Sequence, residues 1–433
     1  MANQKQRSEK DSLGTIKVPS DSYYGAFTTR ALANFQISNM RAPKMFKKTL
    51  GLIKRAAAET NLEVKQLDQK LAKAIIQAAQ EFEEGKFDTE FRLDVLQAGA
   101  GTPFNMNTNE IIANRANVLL KGQKGKNSPV HPNNHVNLGQ SSNDVIPSTT
   151  KIAALLLLQT LLEETKKLEK AFDKKATQFK TIKKVGRTHL QDAVPMTLGH
   201  EFDAYSKAIT RSRKSIEKAA EDMHVIGLGG TAIGTGILAH PNFKKKVVEK
   251  LSKLTGLKLK NPENLTETTN NYAPFADFSN TLTLLASNLF RIAMDLKLLS
   301  SGPDAGINEL DLPEVQPGSS IMPGKINPSI PESVEMAFYH ISGNNETIKL
   351  AAMHGQLELN SNCPIIMYNL LQTEEILTNT LNTFRTKCID GIEANKKQIK
   401  RLYDGSNCEA TTLVPKYGYD KVAEMIKKGK LKN

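Results

Sequence analysis

Apolar residues recur every three or four positions over long stretches of the chain, and this spacing predicts long amphipathic helices. One stretch runs from Ile152 to Phe179, a second from Phe202 to Ile226 and a third from Phe278 to Leu299. Two further segments with this spacing lie near 332–352 and 365–397. Alternation of the strand type is scarce. Long helices with apolar stripes pack against one another, so the predicted fold class is mainly α with a central long-helix bundle.

Three loops break the helical pattern and are rich in small and hydrogen-bonding residues, namely 97–109, 131–147 and 314–328. A fourth small-residue stretch, 185–200, precedes the second long helix. Long loops of this composition inside a compact helical protein usually carry function. The predicted domains are an N-terminal helical domain (1–140), a central long-helix bundle domain (141–395) and a short C-terminal domain (396–433).

Composition and charge exclude several classes of protein. The chain has 433 residues, a net charge of +13 and three cysteines without paired spacing, so a secreted disulfide framework is not expected. Its lysines are scattered along helical faces without interleaved aromatic residues, which favours a solvated surface over nucleic-acid binding. Residues 1–12 lack a signal-peptide stretch, and the longest apolar run, Ala153–Leu158, is too short to span a membrane. We therefore expect a cytoplasmic protein that binds neither nucleic acid nor membranes.

Three short motifs suggest nucleotide or metal binding, but their sequence context argues against each. Segment 318–325 resembles a phosphate-binding loop with one residue too many between its glycines and with Ile326 at the magnesium-binding position. Segment 227–232 fits GxGxxA but follows a helical pattern instead of a strand. His131 and His135 have helical metal-ligand spacing, yet the Pro-Asn-Asn between them favours a loop and a structural role.

The loops share a supply of neutral hydrogen-bond donors with one fixed cation. Hydroxyls and amides orient a compact anion and a lysine balances its charge, so the set indicates a small-anion site. In a single loop such residues could equally be caps or turn formers, but three loops built this way favour binding. The donors are Ser141, Ser142, Asn143, Thr188, His189, Ser319, Ser320, Lys325 and Asn327.

The same loops resemble the shared blocks of the fumarase/aspartase superfamily. The segment GSSIMPGKINP (318–328) is similar to the signature of that superfamily, and the likeness extends nearly from end to end. Further matching blocks are 13–35, 97–116, 131–147, 184–202, 229–236, 298–313 and 355–360.

The resemblance implies a three-domain, mainly α fold and a homotetramer whose long helices form one central bundle. Each active site would be assembled from three subunits and would bind a small dicarboxylate such as aspartate or fumarate. No organic cofactor is implied. Activation by a divalent cation stays open, because no carboxylate or histidine cluster in the sequence names a metal site.

The resemblance also implies the roles of individual residues. Ser319 would be the base that removes a proton from the carbon next to a carboxylate, and Lys325 would stabilise the resulting charge. His189 would lie beside the substrate with support from Glu332. The substrate-binding residues would be Thr102, Ser141, Ser142, Asn143, Thr188, Ser320 and Asn327.

Within the superfamily, several short sequence blocks favour the branch that eliminates ammonia from aspartate to give fumarate. The blocks 97–110, 184–195, 327–332 and 343–360 resemble aspartases more than fumarases. The alternative is the class II hydratase branch, which interconverts fumarate and malate. A catalytically silent relative that acts as a binding protein is a third reading, against which the intact set of site residues argues.

Several positions depart from the pattern of the superfamily. Leu238 replaces a usual asparagine, Asp304 a usual basic residue and His200 a common glutamine. The C-terminal domain is shorter than the superfamily pattern, with 14 residues after Tyr419. None of these departures removes a proposed catalytic residue, but they leave open a weakened enzyme or an altered substrate.

Overall fold

The computed structural model describes residues 5–429, and helices dominate this part of the chain. The prediction of a mainly α fold is therefore confirmed. Residues 1–4 of the predicted N-terminal domain and 430–433 of the predicted C-terminal domain lie outside the described residues. The α-helices are α1 (Ala26–Asn34), α2 (Lys44–Glu63), α3 (Gln69–Glu83), α4 (Thr102–Leu119), α5 (Ser142–Gln178), α6 (Leu198–Met223), α7 (Phe243–Thr255), α8 (Leu265–Asn270), α9 (Ala273–Leu299), α10 (Ser329–Ala352), α11 (Cys363–Lys387), α12 (Lys396–Gly405), α13 (Ala410–Tyr417) and α14 (Tyr419–Lys427).

The long helices predicted from the apolar spacing are present as α5, α6, α9, α10 and α11. One end was wrong, because the segment predicted to run to residue 397 leaves the α-helix after Lys387. A 3₁₀ turn (Ile389–Gly391) follows, and α12 starts after Asn395, whose side chain accepts the N–H of Gln398. Ile389 and Ile392 are buried in this turn, so the apolar spacing continues without the helix.

Within residues 5–429 the strands are short and form three separate two-stranded antiparallel sheets. The small-residue stretch 185–200, for which the sequence predicted no strands, is mostly a β-hairpin. A bulge between Val185 and Arg187 and a proline at position 195 break the alternation that would have revealed it. The strands are β1 (Gln6–Asp11), β2 (Gly14–Pro19), β3 (Lys183–Thr188), β4 (Gln191–Thr197), β5 (Leu310–Asp311) and β6 (Glu393–Ala394).

The chain divides into two compact units, each assembled from three stretches of sequence. The first comprises 1–159, 216–281 and 343–375, and the second comprises 160–215, 282–342 and 376–433. The three-domain division expected from the sequence is a different partition and stays a prediction.

Aromatic packing marks the core of each unit. In the first unit Phe104 contacts the rings of Phe46 and Phe91, with centroids 5.6 and 5.3 Å apart. In the second unit Phe172 of α5 packs against Phe202 of α6 and Phe384 of α11. All six rings are nearly inaccessible to solvent, as buried apolar stripes on long helices require.

One helix, α5, contains a window apolar and long enough to cross a membrane, with a mean hydropathy of 1.5. Inside the folded chain 72% of that window is buried. The core helix of a protein outside the membrane has the same property, so this stretch is weak evidence for a membrane span.

Lys151 of α5 is a buried lysine whose titration is expected to affect stability. Its Nζ donates to the carbonyl oxygen of Val225 at 2.8 Å, and burial lowers its pKa from 10.5 to about 8. Between these two pH values the unfolded chain binds more protons at this group, so the free energy of unfolding rises with pH. The rise is about 1 kcal/mol per pH unit. Urea unfolding near pH 8 and near pH 10 should show a steeper rise with pH in the wild type than in Lys151→Met. Equal pH dependence in both proteins would contradict it.

Candidate active site

The candidate residues fall into two sets, one in each compact unit. The set in the first unit is Thr102, Ser141, Ser142 and Asn143, and the set in the second unit is Thr188, His189, Ser319, Ser320, Lys325, Asn327 and Glu332.

Three residues of the first set lie at the start of α5. The expected loop 131–147 is wrong beyond Ser141, because the helix begins at Ser142. The N–H of Ser141 donates to the Asp144 carboxylate at 2.9 Å, and the Ser141 hydroxyl accepts the N–H of Asn143 at 3.2 Å. These side chains cap the helix, and its N-terminal N–H groups and dipole favour an anion there.

A cleft of about 660 Å³ opens beside this helix start. Ser141 and Ser142 line it, together with Asn105, Thr231 and Leu238. Among the residues described, the buried Thr231 hydroxyl has no hydrogen-bond partner. A roomy cleft lined by hydroxyls and amides suits a small polar ligand.

Asp144 joins the start of α5 to the glycine-rich loop 227–236. Its buried carboxylate accepts the N–H groups of Gly229 and Thr231, each at 2.9 Å. Burial raises the pKa of Asp144 from 3.8 to about 6. A Cβ added at Gly234 would lie 2.3 Å from the backbone nitrogen of Thr266, so this glycine is needed for close packing. Thr231 and Ala232, at the end of the GxGxxA motif, line the cleft.

Leu238 has a left-handed backbone, with φ of 66°, and 89% of its side chain is exposed. Asparagine adopts this conformation more readily than leucine, which accounts for the asparagine usual in the superfamily pattern. In this chain the position therefore presents an apolar side chain to the cleft instead of an amide.

Thr102 starts α4, so the expected loop 97–109 is wrong from this residue onward. Its hydroxyl donates to the carbonyl oxygen of Gly99 at 2.6 Å. Gly99, Ala100 and Gly101 all have positive φ, and such a run of left-handed residues is costly at the alanine. Thr102 lines a second cavity of about 800 Å³. Met106 lines both this cavity and the cleft beside Ser142. Thr102 and Ser142 therefore line two neighbouring cavities and do not share one.

Thr188 and His189 lie at the tip of the β3–β4 hairpin. Thr188 pairs with Gln191, and the two residues between them, His189 and Leu190, have φ of 56° and 61°. A two-residue turn with two left-handed residues normally uses Asn and Gly. Strain of this kind often marks a functional residue.

Buried charges hold the base of this hairpin. The carboxylate of Glu309 is fully buried. It accepts a hydrogen bond from the Arg187 guanidinium at 2.7 Å, and its other oxygen lies 3.0 Å from the Lys184 ammonium. Lys184 also contacts Glu201 of α6 at 2.7 Å. Because a buried charge network tolerates little displacement, it fixes the strand that ends in Thr188.

The loop from Gly318 to Lys325 is closed at its neck by two hydrogen bonds. The Gly318 N–H donates to the Lys325 carbonyl oxygen at 2.8 Å, and the Asn327 amide donates to the Gly318 carbonyl oxygen at 2.6 Å. A Cβ at Gly318 would lie 2.5 Å from the Lys325 oxygen, so a side chain there would open the neck. Asn327 thus has a structural bond in addition to its predicted binding role.

Inside this loop two backbone amides point at the Ser319 hydroxyl. The N–H groups of Ile321 and Met322 donate to Ser319 Oγ at 3.2 and 3.0 Å. Donors aimed at a hydroxyl oxygen stabilise negative charge on it and so favour its deprotonated form. The geometry suits a serine that accepts a proton.

The rest of the loop is exposed. Ser320 and Lys325 face solvent, as does the Ile321 side chain. In the part of the chain that the structure describes, Lys325 has no ion pair and is available to an anion. Glu332 lies in the first turn of α10, and no hydrogen bond or ion pair within residues 5–429 joins it to His189. Their pairing stays a prediction.

The two histidines with metal-ligand spacing hydrogen-bond to backbone N–H groups of their own turn. Pro132–Val136 form one π-helical turn, so the expected loop there is wrong. The His131 N–H donates to His135 Nδ1 at 2.8 Å, and His131 Nδ1 accepts the N–H of Asn133. Over residues 5–429 no group of three or more His, Cys, Asp or Glu side chains is arranged to hold a metal ion.

Sequence reasoning missed Lys54, a fully buried lysine on α2. Its ammonium donates to side-chain oxygens of Asn105, Asn137 and Gln140 at the back of the cleft. The sequence did contain a sign of its burial. Lys54 lies four positions after the core residue Leu50 and three before Ala57, so it falls within the apolar stripe of α2.

Known proteins similar to this chain have two related activities. The chain matches the lyase family model over residues 14–343. It is 43% identical over 425 residues to an aspartate ammonia-lyase from Bacillus sp, covering 98% of this chain and 91% of that protein. It is 44% identical over 422 residues to a class II fumarate hydratase from Brucella suis biovar 1, covering 97% of this chain and 91% of that protein.

The fold of this chain is also similar to solved structures of two such proteins. The fold matches a class II fumarase from Schistosoma mansoni with a TM-score of 0.95 and 37% identity, covering 98% of this chain and 92% of that one. It matches a fumarate lyase:delta crystallin from Brucella melitensis, solved bound to cobalt, with a TM-score of 0.94 and 42% identity. That alignment covers 98% of this chain and 93% of the other.

Proposed function

Because the chain belongs to the fumarase/aspartase superfamily of lyases, we propose that it eliminates ammonia from L-aspartate, reversibly and in the anti sense, to give fumarate. The observation that carries this proposal is the Ser319 hydroxyl, which accepts two backbone N–H groups inside a loop with a closed neck.

Ser319 acts as the base in the proposed reaction. It removes a proton from C3 of aspartate, next to one carboxylate, and the electron pair moves into that carboxylate to give an aci-carboxylate. Collapse of this intermediate forms the double bond and releases ammonia from C2. A serine hydroxyl is a weak base unless its alkoxide is stabilised, and the Ile321 and Met322 amides support that form.

The other predicted residues bind the two carboxylates or act on the leaving group. Lys325 stabilises the second charge of the aci-carboxylate as it develops. The donors at the start of α5 and Thr188 orient the dicarboxylate, while His189 lies beside the leaving group with Glu332 as its support. Closure of the exposed 318–325 loop excludes water from the reacting atoms. No organic cofactor is needed in this scheme, and activation by a divalent cation stays a prediction.

The second candidate function is class II fumarate hydratase, because relatives of that activity are equally similar to the chain. The two reactions differ at the leaving group. The amino group of aspartate is already protonated and leaves as ammonia without an acid. The hydroxyl of malate needs an acid to leave, which assigns His189 or a water held by it a larger role. The sequence blocks that resemble aspartases favour ammonia.

We also propose the homotetramer that the superfamily resemblance implies, with active sites shared by three subunits. Exposed apolar side chains on two long helices support it. On α10 these are Met336, Tyr339 and Leu350, with the exposed Met353 directly after the helix end, and on α9 they include Leu284 and Met294. Apolar stripes on long helices usually lie against another helix. The cytoplasmic location stays a prediction.

The substrate assay measures fumarate by ultraviolet absorbance after addition of L-aspartate or L-malate to the purified protein. The proposal predicts fumarate from aspartate with an equal amount of ammonia. Fumarate from malate alone would assign the hydratase activity. Fumarate from neither, together with salt-sensitive retention on nucleic acid, would favour a binding protein.

Gly318→Ala tests the closed neck of the loop. The added methyl group collides with the Lys325 carbonyl oxygen and displaces Ser319 from its amide donors. We expect kcat/KM to fall by about a hundredfold, because small misplacements of reacting groups are costly. The melting temperature should change little, since the loop is exposed. Gly405→Ala is the matched control, because a Cβ there meets nothing within 4 Å and should leave activity unchanged. Near-normal turnover of Gly318→Ala would contradict the assigned role of the neck.

A further inference from the structure

The ammonium of Lys54 is surrounded by neutral amides instead of carboxylates. Its Nζ lies 2.7 Å from Asn105 Oδ1, 3.0 Å from Asn137 Oδ1 and 2.9 Å from Gln140 Oε1. Three acceptors match the three N–H donors of a lysine ammonium. Lys54 has no exposed surface, and a buried cation is stable only when its donors are satisfied in this way.

The orientation of two of these amides is fixed independently of Lys54. The Gln140 amide nitrogen donates to the backbone carbonyl oxygen of Val136 at 3.0 Å, and the Asn137 amide nitrogen donates to that of Gln140 at 3.1 Å. A backbone carbonyl only accepts hydrogen bonds, so the oxygens of both amides must face the lysine. The site is therefore built for a donor at Nζ.

Lys54 and Asn137 together fix the orientation of Asn105. With its oxygen held by the ammonium, the Asn105 amide nitrogen points at Ser142 Oγ, 3.1 Å away, and at Asn137 Oδ1, 3.2 Å away. Ser142 Oγ therefore accepts a hydrogen bond from the Asn105 amide. Among the described residues its own O–H has no acceptor, and Ser142 lines the cleft. The Ser142 proton is thus left for a ligand that accepts hydrogen bonds.

We propose that Lys54 is a positioning residue that makes Ser142 a hydrogen-bond donor to a carboxylate in the cleft, acting through Asn105. The inference rests on the proposed function, because it takes the dicarboxylate substrate as the ligand. Without the ammonium the Asn105 amide keeps only the 3.2 Å hydrogen bond to Asn137 Oδ1 to set its orientation. If the amide turns over, its oxygen accepts the Ser142 proton. The hydroxyl would in that case present only lone pairs to an anion.

The charge of Lys54 adds to this effect. Burial lowers the pKa of Lys54 from 10.5 to about 7, while the nearby Asp144 carboxylate partly counters that change. Asp144 is itself satisfied by backbone N–H groups, and Lys54 has no direct carboxylate partner among the described residues. A buried cation without a paired anion contributes a positive potential to the cleft and favours an anionic ligand.

A double-mutant cycle on ligand affinity tests the connection between Lys54 and Ser142. Succinate, a dicarboxylate that cannot undergo elimination, is titrated calorimetrically into the wild type, Lys54→Met, Ser142→Ala and the double variant. Each single variant should bind succinate about tenfold more weakly, and the double variant should be no more than about twofold weaker than either one. A double variant that binds succinate about a hundredfold more weakly than the wild type would mean that the two effects are independent. That result, or an unchanged affinity of Lys54→Met for succinate, would overturn the proposal.

Two further variants keep the test decisive. Lys151→Met removes another buried lysine of the same unit and should leave succinate affinity unchanged. An equal loss there would mean that any buried lysine maintains the cleft, and would overturn the proposal. If Lys54→Met does not fold, Asn105→Ala replaces it in the cycle, with the same expected coupling and the same contradicting result.

The kinetic readout separates positioning from general damage. Lys54→Met should raise KM for the substrate about tenfold with a smaller change in kcat. A tenfold fall in kcat with an unchanged KM would contradict the proposal. Failure of the wild type to turn over aspartate would overturn the proposed function alone, because the succinate cycle does not depend on turnover.

Discussion

Ser319→Ala is expected to lower kcat by about a thousandfold or more, because it removes the group that accepts the C3 proton. Binding of substrate should persist, since carboxylate binding is assigned to other residues. Steady-state kinetics and succinate titration measure the two effects separately. Ser333→Ala is the matched control, because this exposed serine on α10 only donates to its own helix and should keep full activity.

Two outcomes would remove Ser319 from its role. Turnover within about tenfold of the wild type would show that another group takes the proton. Loss of succinate binding equal to the loss of turnover would show that Ser319 binds the substrate instead of acting on it.

Lys325→Ala is expected to have the second largest effect, with a rise in KM and a fall in kcat. The lysine both binds a carboxylate and stabilises the charge that develops on it, so kcat/KM should fall about a thousandfold. Initial rates over a range of aspartate concentrations separate the two parameters. Lys400→Ala serves as the control, because that exposed lysine pairs only with Asp404 of its own helix. An unchanged KM would show that Lys325 does not bind a carboxylate.

The long helices could be predicted because their cores follow the helical period. Phe172 and Phe202 are buried at the positions that the apolar stripes indicate, and tertiary packing confirms the spacing. The end of α11 could not be predicted in this way. Ile389 and Ile392 remain apolar because the core continues there, although the backbone has left the helix.

The candidate loops were predictable by composition, but their conformations were not. Residues such as Ser142 and Thr102 start helices, and small polar residues are as common at helix starts as in loops. The strained turn at His189 gives no sequence signal, because neither His189 nor Leu190 is typical of left-handed backbone. Only the folded hairpin reveals it.

The residues behind the cleft needed the structure most. Lys54 lies far from Ser142 in sequence, and its partners come from α4 and from the segment before α5. A lysine on a helix is usually solvated, so composition places Lys54 on the surface. Its place in the apolar stripe of α2 indicates burial, but its three amide partners become apparent only when α2 packs against the elements that carry them.

The most direct test of the proposed reaction is proton NMR of fumarate and ammonium incubated in D₂O with the wild-type protein. Anti addition predicts aspartate with one deuterium at C3 and a single diastereomer, and Ser319→Ala should form none over the same time. Malate in place of aspartate, a mixture of diastereomers, or undiminished aspartate formation by Ser319→Ala would contradict the account.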